Sequence, residues 1–135
     1  MSDSRVEDEA AIQAVLVASY RAWAAGDADG MVADYTEDAT AIMTGSLRGS
    51  REVIRQNMAL GFEGPLKGSW THNKQLGIRF VGRDGAIVIS ESAILFPGET
   101  EVPDDRRKVN ATWVFERRDS RWLIAAYHNS PVVAH

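Results

Sequence analysis

The chain has 135 residues, of which 44% are hydrophobic and 25% charged, and it contains no cysteine. That length suits one domain able to bury about two-thirds of the surface its unfolded chain would expose, and the missing thiols exclude disulfides, thiolate nucleophiles and zinc-thiolate sites. A formal charge of -4 leaves no general basic field for nucleic acid, and no apolar run approaches the roughly 20 residues that cross a bilayer.

The start, Met-Ser-Asp-Ser-Arg-Val-Glu-Asp-Glu, lacks the basic and apolar parts of a signal peptide, so a cytoplasmic location is expected, with neither a membrane nor nucleic acid as partner. Over residues 6–25, Ile12, Val15, Leu16, Ser19/Tyr20 and Trp23 recur at three- and four-residue intervals and predict a long amphipathic helix, ended by Gly26-Asp27. Asp29 offers an N-cap to a short second helix carrying Met31, Val32 and Tyr35, and Ala39-Thr-Ala-Ile-Met43 reads as a short strand. Ser50 caps a third helix with Val53, Ile54, Met58 and Leu60, which Gly61, Gly64, Pro65 and Gly68 break.

The remainder reads as β. Residues 69–81 and 86–96 flank the hairpin signal Gly82-Arg-Asp-Gly85, and residues 108–118 and 121–129 flank Asp119-Ser120. The segment 97–105 between the hairpins is an acidic loop. A single domain over residues 1–135, with an ordered core at about 6–131, is expected.

Residues opposite one another in an antiparallel pair share a face, so the two hairpins can be combined. A two-residue turn at Asp119-Ser120 pairs Phe115 with Ile124, Trp113 with Ala126 and Ala111 with His128. A turn at Asp84-Gly85 pairs Phe80 with Ile89, Ile78 with Glu91 and Leu76 with Ala93; a four-residue loop shifts this by two and keeps the faces. The expected inner face therefore carries Trp70, His72, Lys74, Glu91, Trp113, Trp122 and His128 among Leu, Ile and Phe. The expected outer face holds Ser90, Ser92, Ile94, Val114, Leu123, Tyr127 and Asn129, too apolar for free solvation and too polar for a core, which suits a homodimer interface.

His128 and Glu91 are then the chemical anomalies. A carboxylate among Ile87 and Ile89 would be desolvated and its pKa raised toward a useful acid-base range; the competing reading is an ion pair between Glu91 and Lys74 at an uncovered end of the sheet. His128 is either a catalytic imidazole or a histidine satisfied by a backbone carbonyl. His72 and Lys74 are candidates for the cavity or for its solvated rim. Trp70 and Trp113 are candidate walls for a flat apolar ligand, whereas Trp122, near a tight turn, reads as structural. His72, Glu91 and His128 could form a two-histidine, one-carboxylate set, but no HxH or HExxH pair and no phosphate-binding glycine motif occurs, so neither metal nor cofactor is expected.

The helix ending in Ala-Gly-Asp, the Asp38-Ala-Thr element, Gly45-Ser-Leu-Arg-Gly-Ser-Arg-Glu-Val-Ile54 and the terminal Arg-Trp-Leu-Ile-Ala-Ala-Tyr-His-Asn-Ser together resemble the nuclear transport factor two-like superfamily, and within it the SgcJ/EcaC branch of SnoaL-like proteins. The resemblance spans about residues 6–131. It implies an α+β cone in which three N-terminal helices pack in the concave face of a curved, mainly antiparallel sheet around an apolar cavity, commonly as a dimer. It further implies a setting in enediyne or related polyketide biosynthesis. Ketosteroid isomerases of this superfamily place a general-base aspartate just after Asp-Ala-Thr and a tyrosine on the first helix; here Met43 stands at the base position and Ser19 or Tyr20 near the tyrosine.

The functional expectation is a cofactor-independent isomerase, cyclase or dehydratase acting by proton transfer on an apolar polyketide- or enediyne-derived molecule. His128, Glu91 and Lys74 would be its catalytic groups, and Tyr20, Trp23, Tyr35, Met43, Met58, Trp70, His72 and Trp113 would contact the ligand. The alternative is a non-catalytic protein of the same pathways that binds or shelters a small molecule in that cavity.

Overall fold

The computed structural model describes residues 2–133, with side chains from residue 5 onward. The elements run α1 (Ser2–Ala24), α2 (Ala28–Met31), β1 (Tyr35–Met43), β2 (Ser46–Arg48), α3 (Arg51–Glu63), β3 (Trp70–Val81), β4 (Gly85–Leu95), a 3-10 turn (Asp105–Arg107), β5 (Val109–Arg118) and β6 (Arg121–Pro131). This is the expected α+β architecture: an open, curved six-stranded sheet of order β2-β1-β6-β5-β4-β3, with the helices in the N-terminal half of the chain. The sheet is mixed because β1 lies parallel to β6, while every other pair is antiparallel.

The three- and four-residue spacing in α1 buries Ile12, Leu16 and Ser19 and leaves Tyr20 and Trp23 half-buried beside them. These meet Val88, Phe115 and Ile124 from the sheet and Ile54 from α3 in one core. Each such fully buried large apolar side chain contributes about 1.5–3 kcal/mol. The Asp8 carboxylate pins α1 to the sheet, accepting from Arg117 Nη1 at 3.0 Å and from Trp122 Nε1 at 3.1 Å. Ser50 caps α3 as expected, its hydroxyl accepting from the Val53 amide at 3.2 Å.

The second helix differs from expectation. Its cap is Asp27, in extended backbone with Oδ1 accepting from Gly30 N at 2.9 Å, and Asp29 falls inside the first turn. The helix ends at Met31, so Tyr35 opens β1 and pairs with Ile124. A further strand, β2, turns back on β1 through Gly45, whose φ of 75° suits a residue without Cβ.

Two irregularities reverse the expected facing of the sheet. The β3–β4 loop contains three residues, Gly82, Arg83 and Asp84, so Phe80 pairs with Ala86 and Ile78 with Val88. This register differs from the expected one by an odd number, and every side chain of β4 changes face because strand side chains alternate with period two. Inward stand Ala86, Val88, Ser90 and Ser92 in place of Ile87, Ile89 and Glu91. Leu76 is an extra residue on β3, between Gln75 and Gly77.

On β6 the turn forms as expected: Arg118 pairs with Arg121, and Asp119 and Ser120 adopt φ of 50° and 64°, the left-handed pair of a two-residue hairpin. Phe115 pairs with Ile124, also as expected. Ala125 is then a bulge, since Val114 pairs with Ala126, Trp113 with Tyr127 and Thr112 with His128. One unpaired residue inverts the alternation beyond it. Tyr127 and Asn129 therefore stand on the inner side, and His128 on the outer.

Candidate functional site

Between the helices and the concave side of the sheet lies a cavity of about 410 Å³. Ser19, Tyr20 and Trp23 from α1, Met31 from α2, and Ile54 and Met58 from α3 form one wall. The sheet supplies Tyr35, Ala41 and Met43 from β1, Arg48 from β2, Thr71 and Asn73 from β3, Ser92 and Ile94 from β4, Trp113 from β5, and Tyr127 and Asn129 from β6. Phe96 and Arg107 close the rim near the start of β5. Among the described residues the lining contains no Asp, Glu, His or Lys.

Its aromatic centre is Trp113. Tyr127 lies against it with ring centroids 4.4 Å apart, and Tyr20 approaches edge-on at 6.2 Å. The indole N–H of Trp113 donates to Ser90 Oγ at 3.4 Å, which satisfies its one polar atom away from the cavity. Trp23 does the same, donating to Ser69 Oγ at 2.9 Å while its ring packs edge-on against Phe62.

All three tyrosines of the chain line this one cavity. Burial, followed by the nearby Tyr127 phenol, pushes the pKa of Tyr20 up to about 12. The same two causes raise that of Tyr35, and burial raises that of Tyr127. All three are neutral hydroxyls near pH 7. The Tyr127 oxygen accepts from Asn129 Nδ2 at 2.8 Å, so its own proton is free to donate. On the opposite wall Ser92 Oγ donates to Asn73 Oδ1 at 2.9 Å, and Asn73 Nδ2 donates to Thr71 at 2.8 Å.

The two arginines of the lining are in different states. Arg107 is satisfied: Nη1 and Nη2 reach the two oxygens of Glu99 at 2.7 and 2.8 Å, and Nη2 also donates to the Ile94 carbonyl at 2.7 Å. The guanidinium, followed by the Phe96 amide, holds the Glu99 pKa down at about 2. Among the described residues Arg48 has only Ser46 Oγ at 3.4 Å and the Met58 sulfur at 3.3 Å. No carboxylate among the described residues lies within ion-pair distance of it. Burial lowers its pKa, an effect the neighbouring Tyr35 opposes, and it stays charged at neutral pH.

Of the expected ligand contacts, Tyr20, Trp23, Tyr35, Met43, Met58 and Trp113 come together in this lining. Trp70 and His72 do not: they pair with Leu95 and Ala93 and are exposed, on the side of β3 opposite to Thr71 and Asn73. The expected inner-face placement of Lys74, Glu91 and His128 is corrected for the reasons of register given above. Lys74 is exposed opposite Glu91, and the Glu91 carboxylate sits 3.7 Å from Lys108 Nζ. His128 lines up with Thr112 and Ile89, Glu91 with Asn110 and Ser130. They are two strands apart, about 10 Å at ordinary strand spacing, so they form no coupled pair.

Sequence reasoning missed Arg48, Arg107, Asn73, Ser92, Tyr127 and Asn129. Thr44-Gly45 between Met43 and Ser46 was a usable signal for the turn that carries Arg48 on a strand beside β1. Nothing local marks the bulge that turns Tyr127 and Asn129 inward.

Comparison with known proteins adds family and fold. The family model described as SnoaL-like domain matches residues 12–134. A cystatin-like-fold domain of unknown function from Nostoc punctiforme is 26% identical, with a TM-score of 0.85 over 95% of this chain and 79% of that one. An NTF2-like protein with a cystatin-like fold from Novosphingobium aromaticivorans is 17% identical, with a TM-score of 0.82 over 98% and 86%. A ketosteroid isomerase-like protein from Erwinia carotovora atroseptica is 17% identical, with a TM-score of 0.71 over 93% and 96%. No curated protein matches the sequence.

Proposed function

This chain belongs to the SnoaL-like domain family, and we propose that its cavity is a receptor for an apolar, ring-bearing small molecule whose oxygen is held by neutral phenols and Arg48. The observation that carries this reading is the lining itself: aromatic and aliphatic walls, a few convergent donors and, among the described residues, no carboxylate, imidazole or amine. The segments at residues 45–54 and 121–130 support the SgcJ/EcaC branch and, with it, a polyketide- or enediyne-derived ligand. Binding fits the site better than acid-base turnover does, since Met43 occupies the expected base position and the tyrosines are too weakly acidic to supply a base near pH 7.

Titration with anthracene-2-carboxamide, a neutral three-ring probe, tests this through tryptophan fluorescence. One equivalent should quench the signal. Met43→Trp, which puts an indole into the cavity, should weaken binding at least about tenfold, whereas His128→Ala should leave it within about twofold. Equal binding by the filled variant would overturn the reading.

A second reading, proton transfer at the bound ligand, is favoured by one observation. Tyr127, oriented as a donor by Asn129, can polarise a carbonyl and stabilise an enolate while the base comes from water or the ligand. Solvent deuterium entering a bound cyclic ketone, and lost in Tyr127→Phe, is its signature.

We also propose self-association through the outer sheet face. A row of Ile42, His128, Thr112, Ile89 and Gly77 crosses five strands there, with Ile42 and Ile89 exposed.

A further inference from the structure

We propose that the molecule bound in this cavity carries a carboxylate, or an equivalent delocalised oxyanion, received by the Arg48 guanidinium. The inference rests on the reading that the cavity binds a small molecule and specifies the chemistry of one end of it.

A guanidinium has five N–H donors in a planar fork. Arg48 directs Nε to Ser46 and one Nη1 hydrogen to the Met58 thioether, a weak acceptor, and its Nη2 group has no acceptor among the described residues. The eleven other arginines show how the fold treats this side chain. Seven of them, at positions 5, 51, 55, 107, 117, 118 and 121, reach a carboxylate within 4.0 Å, and the other four, Arg21, Arg79, Arg83 and Arg106, are exposed to water. Arg48 stands instead half-buried against an apolar wall, where the titratable group that acts on it is the neutral Tyr35.

The cavity is therefore charge-unbalanced. Arg107, the only other cation of the lining among the described residues, is matched by Glu99, so among those residues the positive charge of Arg48 is the net charge the lining presents. Partly buried charge without a partner is unfavourable, and a bidentate carboxylate is the geometry that best satisfies the fork. Apolar walls strengthen that attraction by lowering the local dielectric. β2 exists only as the short return of the chain on β1, and it places Arg48 at the side of the cavity bounded by Met58 and Tyr35. A ligand of this class would lay its rings along Trp113 and Tyr127 and turn its acid group toward β2. The competing account is that Arg48 covers the wall with its aliphatic stem and keeps its head in water.

Paired titrations separate the two. On the full chain at neutral pH, anthracene-2-carboxylate should bind at least about tenfold tighter than anthracene-2-carboxamide, the gain expected of a charge-assisted pair over a neutral one. Arg48→Gln should bring the carboxylate to the level of the carboxamide, so that the carboxylate loses far more affinity than the carboxamide does; Arg48→Lys, which keeps a point charge without the fork, should keep part of the preference. The wild-type ratio needs no variant, so it stands even if Arg48→Gln fails to fold. Equal binding of the two probes to the wild type, or a preference that survives Arg48→Gln, would overturn the oxyanion inference and leave the receptor reading intact. Failure of both probes to bind would remove the receptor reading, and the inference with it.

Discussion

Trp113 on β5 and Tyr127 on β6 stand directly opposite one another, their ring centroids 4.4 Å apart, and together they form the sheet side of the cavity. The contact exists because Ala125 bulges out of β6; with uninterrupted pairing from the turn, Trp113 would face Ala126. Trp113 is 6% exposed. Trp113→Ala should cost about 3–5 kcal/mol of stability by the loss of a buried aromatic, read as a lower denaturation midpoint in urea, and should abolish probe binding. A loss within 1 kcal/mol of zero would show that the ring is not packed as described.

The tyrosines give a pH prediction. Burial raises the folded-state pKa of Tyr20 to about 12, from an ordinary 10.0, and shifts Tyr35 and Tyr127 in the same direction. A group whose folded pKa lies above its unfolded value contributes stability that is complete below the unfolded pKa and is lost as pH rises through the folded one. At pH 10 the folded chain should therefore show little phenolate absorbance, and ionisation above that should accompany unfolding. Half-ionisation at pH 10 with the fold intact would contradict the burial of these phenols.

Glu99 works with the opposite sign. Arg107 lowers its pKa from 4.5 to about 2, so its contribution is present above pH 4.5 and disappears as pH falls through that interval. Glu99→Gln should flatten the dependence of the melting temperature on pH between 4.5 and 2 and loosen the rim around Phe96, seen as faster amide exchange at Phe96 and Arg107. An unchanged acid profile would mean that the pair does not persist in solution.

Ile89 and Ile42 lie at two positions of the row across the outer face. If that face self-associates, Ile89→Glu should convert a dimer into a monomer by sedimentation velocity, with the melting of the monomer shifted little because Ile89 is exposed in the single chain. A wild-type monomer at high micromolar concentration would dismiss the interface.

How far the sequence could be read depends on the range of the physics involved. The spacing of Ile12, Leu16 and Ser19, the Ser50 cap and the Asp119-Ser120 turn are local, and each appears in the fold as its residues indicate. The facing of Glu91 and His128 is not local in that sense. It depends on a loop of three residues instead of two or four, and on one unpaired alanine, and either choice inverts everything that follows on its strand. Ser90-Glu-Ser92 shows the cost: two serines point inward, hydrogen-bonded to Trp113 and Asn73, where an isolated carboxylate looked more telling. Arg48 was hidden because a lone arginine between glycine-flanked residues reads as surface until the wall behind it is known.

The parallel pairing of β1 with β6 also bears on how the protein is made. Tyr35 and Tyr127 share one cavity across about two-thirds of the chain's length, and β6 is inserted between β1 and β5. During synthesis the helices and the β3–β4 hairpin can form as they emerge, but the pocket has no floor until residues 121–131 have been added. Until then β1 is a strand with an open edge and the apolar wall of α1 lies uncovered, so a stalled or shortened product would be prone to aggregate and unable to hold a ligand.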